Sequence, residues 1–489
     1  MKKGIYVVTG GLALLAAYLV LPVSFLAPPE VPSSETAPPS PVAALDRDAA
    51  LTRLSRAISF RTVSPQNPED FDPVPFRELH SFLEHSFPLV HRNLRKQVFN
   101  EHSLLYTWVG RNPDLKPALL MNHLDVVPVL YPDRWTHPPF SGVMAEGYIW
   151  GRGTLDDKGG VMAILEAAEH LLQQGFQPER TIYFLFGHDE EVGSPEGGAA
   201  TIGRHLQEQG IRLDFVLDEG MVISDGLLPD LSLPVALIGI AEKGYLDLKL
   251  TAHGPGGHSS MPKHNTSIER LSRALTRLYD TPLPQHMDYI EKLADNLKYY
   301  MPFGRKLAFH HFDLLEGILK VALSNNETLS PFMRTTTAPT ILRAGEKSNV
   351  IPAQASAIIN FRIIPGETSD DVVERVRNVI DDPQITIEKQ DFIDPSPVSD
   401  TNSAAFHAIR DSILETAGSE QMATTPQLVT AATDSRFLTQ VADNIYRFQY
   451  VHMTPELLSG YHGINERLPV RDYFSMIEFY ARLMQKVGR

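Results

Sequence analysis

The sequence predicts an α/β protein with a mixed, mostly parallel sheet, into which a smaller α+β domain is inserted. Apolar runs of strand length alternate with amphipathic helical stretches in the first half of the chain, which is typical of a buried parallel sheet covered by helices. From about Glu242 the pattern changes, because Leu246, Leu248 and Leu250 alternate with polar residues as in a half-exposed strand. The chain of 489 residues is also too long for one ordinary core, so two domains are expected.

The first 45 residues differ from the rest. Two lysines precede an apolar run over residues 5–27, which is long enough to cross a bilayer of ~30 Å at ~1.5 Å per residue. We expect residues 1–27 to be a membrane anchor or a signal segment that carries the body of the protein out of the cytoplasm. Phe25 stands where a cleavage site requires a small residue, which favours an uncleaved anchor. Residues 28–45 are predicted to be a proline-rich linker.

The globular part divides into three stretches. Residues 46–241 are predicted to form the first part of the large domain, 242–394 the inserted domain, and 395–489 the second part of the large domain. Periodicity predicts the following elements: strands over 118–121, 181–186 and 215–217, helices over 161–174, 267–278, 370–380 and 403–417, an irregular helical stretch over 285–323, and a final helix from 470.

Charge and cysteine content restrict the function. There are 44 Lys and Arg residues against 59 Asp and Glu residues, so the formal net charge is −15. An acidic surface argues against a nucleic acid as the partner. The absence of cysteine from the sequence excludes disulfides, thiolate nucleophiles and cysteine-type zinc sites. Any metal ion must therefore be held by His, Asp and Glu.

Five turns rich in acids and histidine carry the chemical information. They are residues 121–128, 151–160, 186–193, 216–220 and 460–466. Each one alone resembles an ordinary solvated turn. If such turns meet at the carboxyl ends of neighbouring strands, where active residues of α/β sheets collect, their carboxylates repel one another unless cations lie among them. The set therefore indicates a metal site.

In order and spacing these turns resemble the M20 metallopeptidase family, in particular the branch of carboxypeptidase S and the N-fatty-acyl-amino-acid hydrolase/synthases. The likeness runs from about residue 46 to the end and includes GRGTLDDKG, FGHDEE, VLDEG, GGHSS, NVIP, TDSRF and HGINE. It implies a zinc-exopeptidase-like catalytic domain with an inserted domain that serves as a lid and a dimerisation surface. Asn122 departs from the pattern, because many members have Gly before the histidine.

The resemblance implies two metal ions held by five residues. Asp156 would bridge the two ions, with His123 and Asp218 on the first and Glu191 and His462 on the second. Three ligand carboxylates and one hydroxide balance the charge of two dications. The mixture of histidine and carboxylate suits zinc, and cobalt or manganese could substitute.

The resemblance also assigns the residues around the metals. Asp125 would hold the ring of the first histidine ligand, and Glu190 would act as general base. His258 would stabilise the oxyanion of the tetrahedral intermediate. Asp157 would follow the bridging aspartate across a cis peptide bond. In dimeric members this His258 comes from the partner subunit, which is compatible with a homodimer here.

Asn349 and Arg362 match the residues that bind the substrate carboxylate, and the planar fork of Arg pairs with a carboxylate through two hydrogen bonds. The expected function is hydrolysis of an amide beside a free carboxylate, in N-acyl or N-fatty-acyl amino acids or at the C-terminal residue of small peptides. An aminopeptidase or dipeptidase of the same fold, or a binding protein without turnover, are the alternatives. Asn349 and Arg362 disfavour the first, and Glu190 with the ligand set disfavours the second.

The stretch 285–323 is rich in Leu, Phe and Tyr. We expect it to form core packing of an enlarged lid. The alternative is an apolar wall for a long acyl chain.

Overall fold

The computed structural model describes residues 19–28, 38–228, 231, 233–326 and 329–488. In chain order its strands are β1 (Arg95–Phe99), β2 (Ser103–Trp108), β3 (Ala118–His123), β4 (Val143–Ala145), β5 (Tyr148–Trp150), β6 (Ile182–Gly187), β7 (Leu213–Asp218), β8 (Ile223–Ser224), β9 (Val235–Glu242), β10 (Gly244–His253), β11 (Gly257–His258), β12 (Thr336–Ala344), β13 (Val350–Ile351), β14 (Gln354–Ile363), β15 (Ile385–Ile393), β16 (Ala423–Val429), β17 (Ala442–Arg447), β18 (His452–Met453) and β19 (Arg467–Pro469).

The α-helices of the described residues complete the element order. They are α1 (Arg47–Ile58), α2 (Val74–Ser86), α3 (Pro88–Asn93), α4 (Lys158–Gln173), α5 (Gly198–Glu208), α6 (Ser267–Asp280), α7 (Asp288–Leu297), α8 (Phe303–His310), α9 (Phe312–Ser324), α10 (Ser369–Ile380), α11 (Ala404–Ala417), α12 (Pro455–Gly460) and α13 (Val470–Val487). Every helix and strand that periodicity predicts is present, and the irregular stretch resolves into α7, α8 and α9.

The central sheet has ten strands within the described residues, in the order β1-β2-β6-β3-β7-β17-β9-β8-β18, with β16 beside β9. Five of its neighbouring pairs are parallel and four are antiparallel, which confirms a mixed α/β sheet. The strands β6, β3 and β7 lie side by side and run parallel, so their carboxyl ends meet at one edge.

Both faces of the central sheet are covered, which explains its near-continuous apolar strands. On β3, Leu120 belongs to the core beneath α4 and α13, whereas Leu119 and Met121 belong to the core beneath α5. Successive side chains of a strand point to opposite faces, so a strand buried on both faces is apolar throughout. Helix α4 is itself buried from Lys158 to Leu171 and packs against α13.

A second, antiparallel sheet has the order β12-β14-β10-β15 and is covered by α6 and α10. Leu246, Leu248 and Leu250 are fully buried in its core, while the residues between them are half-buried, as the alternation predicts. The chain leaves the central sheet at Glu242, and the second sheet ends at Ile393. This places an α+β unit within the sequence of the α/β domain.

The helices α7, α8 and α9 do not belong to the core of the second sheet. Their buried residues pack with Val235 of β9 and Ala423 of β16, both in the central sheet. Phe309, Phe312 and Leu319 are members of this cluster, so core packing is confirmed for one face of the stretch 285–323. Its attachment is to the large domain rather than to the second sheet.

The predicted anchor or signal segment lies mostly outside the described residues, since these begin at residue 19. Residues 19–24 are helical, and the linker is described only at residue 28 and from residue 38 onward. Among the described helices, none combines the length and the apolar character that crossing a bilayer requires.

Candidate metal centre

The five acid- and histidine-bearing turns converge at the edge where β6, β3 and β7 end. His123 is the last residue of β3 and Asp218 is the last residue of β7. The turn after β6 forms a short 3-10 helix, Glu190–Val192. The remaining two turns precede α4 and follow α12. The parallel direction of the three strands brings these acids together, as expected for an α/β sheet.

Asp156 lies at the centre of the cluster. Its Oδ1 is 2.8 Å from Nε2 of His123, and its Oδ2 is 2.8 Å from Nε2 of His462. Nε2 of His462 is also 3.2 Å from Oε2 of Glu191. One buried carboxylate therefore joins the two histidines through its separate oxygens, which is the arrangement of a bridging ligand.

Glu466 holds the turn that carries Asp156. Its Oε1 accepts hydrogen bonds from the backbone N–H groups of Gly153 at 3.0 Å, Leu155 at 2.9 Å and Asp156 at 3.2 Å. Its Oε2 pairs with Arg152 at 2.5 Å, and both side chains are buried. The sequence pattern predicts no role for Glu466, although it stands four residues after a predicted ligand in the same motif. The Glu466 carboxylate fixes the turn of residues 151–160, which lies more than 300 residues earlier in the chain.

Asp157 follows across a cis peptide bond, as the resemblance implies. Its carboxylate accepts hydrogen bonds from Nδ2 of Asn122 and, at 2.6 Å, from Nε2 of Gln449. Gly160 leaves room for this pair, because a Cβ there would lie 2.3 Å from Nδ2 of Asn122. The departure at position 122 thus has a structural use, since the amide holds the residue next to the bridging aspartate.

Asp125 connects the first histidine to the acid turn. Its Oδ1 lies 3.3 Å from Nδ1 of His123, and its backbone carbonyl lies 3.1 Å from the same nitrogen. Its two carboxylate oxygens accept the N–H groups of Glu190 and Glu191, each at 3.2 Å. This buried carboxylate therefore orients the ring and fixes the turn that presents both glutamates.

Asp218, an expected metal ligand, accepts hydrogen bonds on both of its carboxylate oxygens. Its Oδ1 accepts the N–H of Glu219 at 2.9 Å, and its Oδ2 accepts the hydroxyl of Thr433 at 2.6 Å and the N–H of Ser435 at 3.0 Å. Glu219 instead points towards His123, with its Oε1 4.0 Å from Nε2. Glu219 therefore joins Asp218 as a candidate ligand in this turn.

Glu219 and Tyr461 are thus further site residues that sequence reasoning missed. Tyr461 donates a hydrogen bond from its hydroxyl to Oε2 of Glu219 at 3.3 Å and stacks on the ring of His462. The VLDEG motif contains two adjacent acids, Asp218 and Glu219, and either can be proposed from the sequence. Spacing does not tell which of the two neighbouring side chains faces inward.

Burial and mutual repulsion dominate the electrostatics of the cluster. Burial, reinforced by neighbouring carboxylates, raises the pKa of Glu190 and of Glu219 well above the ordinary value. Hydrogen bonds with Asp156 and Glu191 raise the pKa of His462 to about 10. Burial opposes a charge on His123, yet Asp125 and Asp156 outweigh it, so its pKa is also raised. Burial and mutual repulsion thus disfavour the ionised form of these carboxylates.

These donors fit divalent cations. Ligand atoms of His123, Asp156 and Glu191 lie within 4.8 Å of one another, and so do those of His123, Asp157 and Glu219. Two imidazoles with several carboxylates form a donor set of the kind that zinc takes in catalytic sites, and cations would relieve the repulsion among the buried acids.

A cavity of about 280 Å³ opens beside the cluster. Asp156, Glu190, Glu219 and His462 line one side. The other side is apolar, and its residues are Val222, Leu227, Met453 and Leu458. No residue of the stretch 285–323 lines this cavity. A polar reacting centre and an apolar pocket therefore share one space.

Of the three residues expected to bind substrate, Arg362 lies apart from His258 and Asn349. Arg362 is near the end of β14 that adjoins the central sheet, where its guanidinium lies 4.8 Å from the centre of the Tyr245 ring. His258 and Asn349 are exposed beyond the opposite end, where Ser259 N–H donates to the Asn349 carbonyl at 3.1 Å. Eight residues of β14 separate Gln354 from Arg362, or about 26 Å at ~3.3 Å per residue.

Known proteins match this chain over most of its length. Residues 119–486 match the model of Peptidase family M20/M25/M40. The chain is 41% identical over 442 residues to "Probable carboxypeptidase S-like 2" of Dictyostelium discoideum, covering 89% of this chain and 85% of the relative. It is 36% identical over 458 residues to "N-fatty-acyl-amino acid synthase/hydrolase PM20D1" of Homo sapiens, covering 91% and 89%.

A solved structure shares the fold. An M20 family metallo-carboxypeptidase from Sulfolobus solfataricus superposes with a TM-score of 0.62 at 18% identity, covering 90% of this chain and 99% of that chain. The chain therefore belongs to peptidase family M20/M25/M40, which confirms the resemblance drawn from the five turns. It is a hydrolase of the metallopeptidase class.

Proposed function

We propose that this chain is a hydrolase with two zinc ions that cleaves an amide bond beside a free carboxylate. Its substrates would be N-acyl or N-fatty-acyl amino acids, or small peptides that lose their C-terminal residue. The main support is the position of Asp156 between His123 and His462, with Glu190 on the wall of the same cavity. The relatives' names include both carboxypeptidase S-like proteins and an N-fatty-acyl-amino acid synthase/hydrolase.

The metal ions would share Asp156. Glu191 and His462 would hold one of them, and His123 with an acid of the turn after β7 the other; the geometry favours Glu219 over Asp218 for that place. Bound there, two divalent cations lower the pKa of a water molecule and polarise the substrate carbonyl. Cobalt or manganese could take the place of zinc with the same donors.

Glu190 is the general base of this proposal. Asp125 fixes its backbone N–H, and its side chain borders the cavity. From this position Glu190 would accept a proton from the attacking water and deliver it to the leaving nitrogen. The apolar side of the cavity would receive the acyl group or an apolar side chain of the substrate.

Arg362 would bind the substrate carboxylate. It lies at the junction of the two sheets, and it forms no ion pair with a carboxylate in the described part of the chain. The guanidinium of Arg362 is thus available to pair with the carboxylate of a substrate. An aminopeptidase would require an acid for the substrate amine at this place, so Arg362 disfavours that alternative.

His258 and Asn349 would come from a second copy of the chain. Both are exposed at the end of the second sheet that is remote from Arg362, and His258 bonds only locally, to Oγ of Ser260 at 2.8 Å. A homodimer in which this tip reaches the partner's cavity would complete the oxyanion and carboxylate contacts. The inserted domain, residues 242–394, would then serve as lid and dimerisation surface.

We also propose that residues 1–27 anchor the protein in a membrane or direct its export. The basis is the apolar sequence of residues 5–27 after a basic start. The catalytic body would lie outside the cytoplasm in either case.

Incubation of the zinc-loaded protein with a panel of N-acyl amino acids and dipeptides, read by mass spectrometry, tests the proposed function. We expect release of the free amino acid from N-acyl substrates, with kcat/KM that rises as the acyl chain lengthens. Matched substrates with an amidated carboxylate should be poor. The proposal is wrong if amidated and free-acid substrates react equally, and the acyl pocket is wrong if chain length has no effect.

A further inference from the structure

Helix α9 carries apolar side chains on two opposite faces. Phe312 and Leu319 are buried against the central sheet. On the outer face, Leu314, Ile318 and Val321 are 67%, 68% and 73% exposed. Their spacing of four and three residues places them in one line along the helix. A soluble helix usually presents polar residues on that side, so the outer face requires another explanation.

The described part of the N-terminal apolar run contacts the start of this helix. The helical residues 19–24 are its described part, and the carbonyl of Leu19 lies 2.9 Å from Nε2 of His311, the residue that precedes α9. Val23 is buried, whereas Leu21 and Phe25 are exposed. The apolar sequence that precedes Leu19 therefore joins the folded body next to the exposed line of α9.

The charge of this region differs from that of the whole chain. Residues 298–321 contain four Lys or Arg and two Asp or Glu, whereas the complete chain has 44 against 59. Two of the four basic residues form ion pairs, Lys298 with Asp295 and Lys320 with Glu316, and the other two are Arg305 and Lys306. A helix that lies on a membrane combines an apolar face with basic residues at its rim. Anionic lipid attracts such a rim, whereas the rest of this acidic protein is repelled.

Another protein surface is a poorer occupant. A stable interface buries about 800 Å² on each partner. Even a large aromatic side chain contributes only about 150–250 Å², so three aliphatic side chains fall short of that area. A bilayer has no such requirement, since each apolar side chain that enters it contributes separately.

We propose that the outer face of α9, formed by Leu314, Ile318 and Val321, docks on the surface of a lipid bilayer. The N-terminal run would bring the protein to the membrane, and this face would set how the body lies on it. The face is independent of the acid cluster, so the failure of either proposal leaves the other standing.

The cysteine-free sequence allows a site-specific test on the full chain. Ile318→Cys and Leu342→Cys would each carry one environment-sensitive fluorophore. Leu342 is a matched control, because it is an aliphatic residue that is 63% exposed on β12 of the second sheet. Vesicles of equimolar phosphatidylcholine and phosphatidylglycerol, with and without nitroxide-labelled lipid, supply the bilayer. Flotation with the vesicles establishes that the chain is bound.

We expect the label at position 318 to shift to the blue on vesicle addition and to be quenched at least about twofold by nitroxide lipid, because an interfacial helix face enters the bilayer by ~5–10 Å. The label at position 342 should do neither, and Leu314→Cys should behave like Ile318→Cys. Three results would overturn the proposal: a chain that does not float, a label at 318 that stays water-exposed on floating chain, or a label already shielded before vesicles are added.

Discussion

The two groups of residues proposed to act on the substrate differ in how they are held. Asp156 and its neighbours are buried, and nearly every carboxylate of that cluster bonds to a residue from a different segment of the chain. His258 and Asn349, in contrast, are exposed at the small two-stranded sheet of β11 and β13. We therefore expect the metal half of the site to be complete within one chain, and the proposed homodimer would complete the recognition half.

This difference separates two kinds of expected defect. A change in the cluster should alter metal binding or the chemical step in every copy by itself. A change at the tip of the second sheet should act on a neighbouring copy, if the proposed homodimer is correct. The following experiments are ordered from the largest expected effect to the smallest.

Glu190→Gln should lower kcat by ~10²–10⁴-fold, because the amide keeps the size of the side chain but cannot accept a proton from water. Metal analysis should still find about two zinc ions per chain, since Glu190 is not one of the proposed ligands. Substantial turnover with full metal content would remove Glu190 from the role of base.

His258→Ala should lower kcat by ~10²–10³-fold, as the loss of an oxyanion donor does. Coexpression with Glu190→Gln offers a sharper test. About half of the dimers would then be mixed, each with one intact site, so activity should return to about a quarter of the wild-type value. If activity stays at the level of the two separate variants, His258 does not act across a dimer.

Glu219→Gln should weaken zinc binding by at least ~10–100-fold, because Glu219 faces His123. Asp218→Asn should mainly lower the melting temperature, since Asp218 accepts bonds from Thr433 and Ser435. Competition with a chelator measures the first effect and thermal unfolding of the metal-free protein the second. The opposite pattern would restore Asp218 as the ligand.

Arg362→Ala should raise KM about tenfold for free-carboxylate substrates and leave KM for their amides unchanged, because one carboxylate contact is worth about 1.4 kcal/mol or more. Arg362→Lys is the control and should be intermediate, since it keeps the charge but loses the fork. Equal effects on acids and amides would contradict a carboxylate contact.

Asn122→Ala should have the smallest effect on catalysis. It removes the hydrogen bond to Asp157 and leaves Gln449 as the remaining side-chain donor to that carboxylate. We expect the free energy of unfolding to fall by ~1–3 kcal/mol in urea denaturation. A loss of zinc-binding free energy larger than the loss in the free energy of unfolding would show that Asn122 positions the bridging aspartate.

Much of the fold could be predicted because it depends on local periodicity. The alternation of Leu246, Leu248 and Leu250 and the runs of β3 and β6 are consequences of which faces are buried, so the sequence records them directly. The packing of α7, α8 and α9 on the central sheet was not predicted. An apolar helix face shows that the helix is covered, but its sequence does not show which surface covers it.

The sequence by itself located the five turns in which the acids and histidines of the candidate site lie, since residue types and spacing after strands are local properties. Only the tertiary structure decided how they are used. It turned Glu219 rather than Asp218 towards His123, placed Glu466 against the turn of Asp156, and separated His258 from Arg362. These outcomes depend on contacts between segments that are distant in the sequence, in one case by more than 300 residues. The spacing of residues along the chain does not predict such contacts.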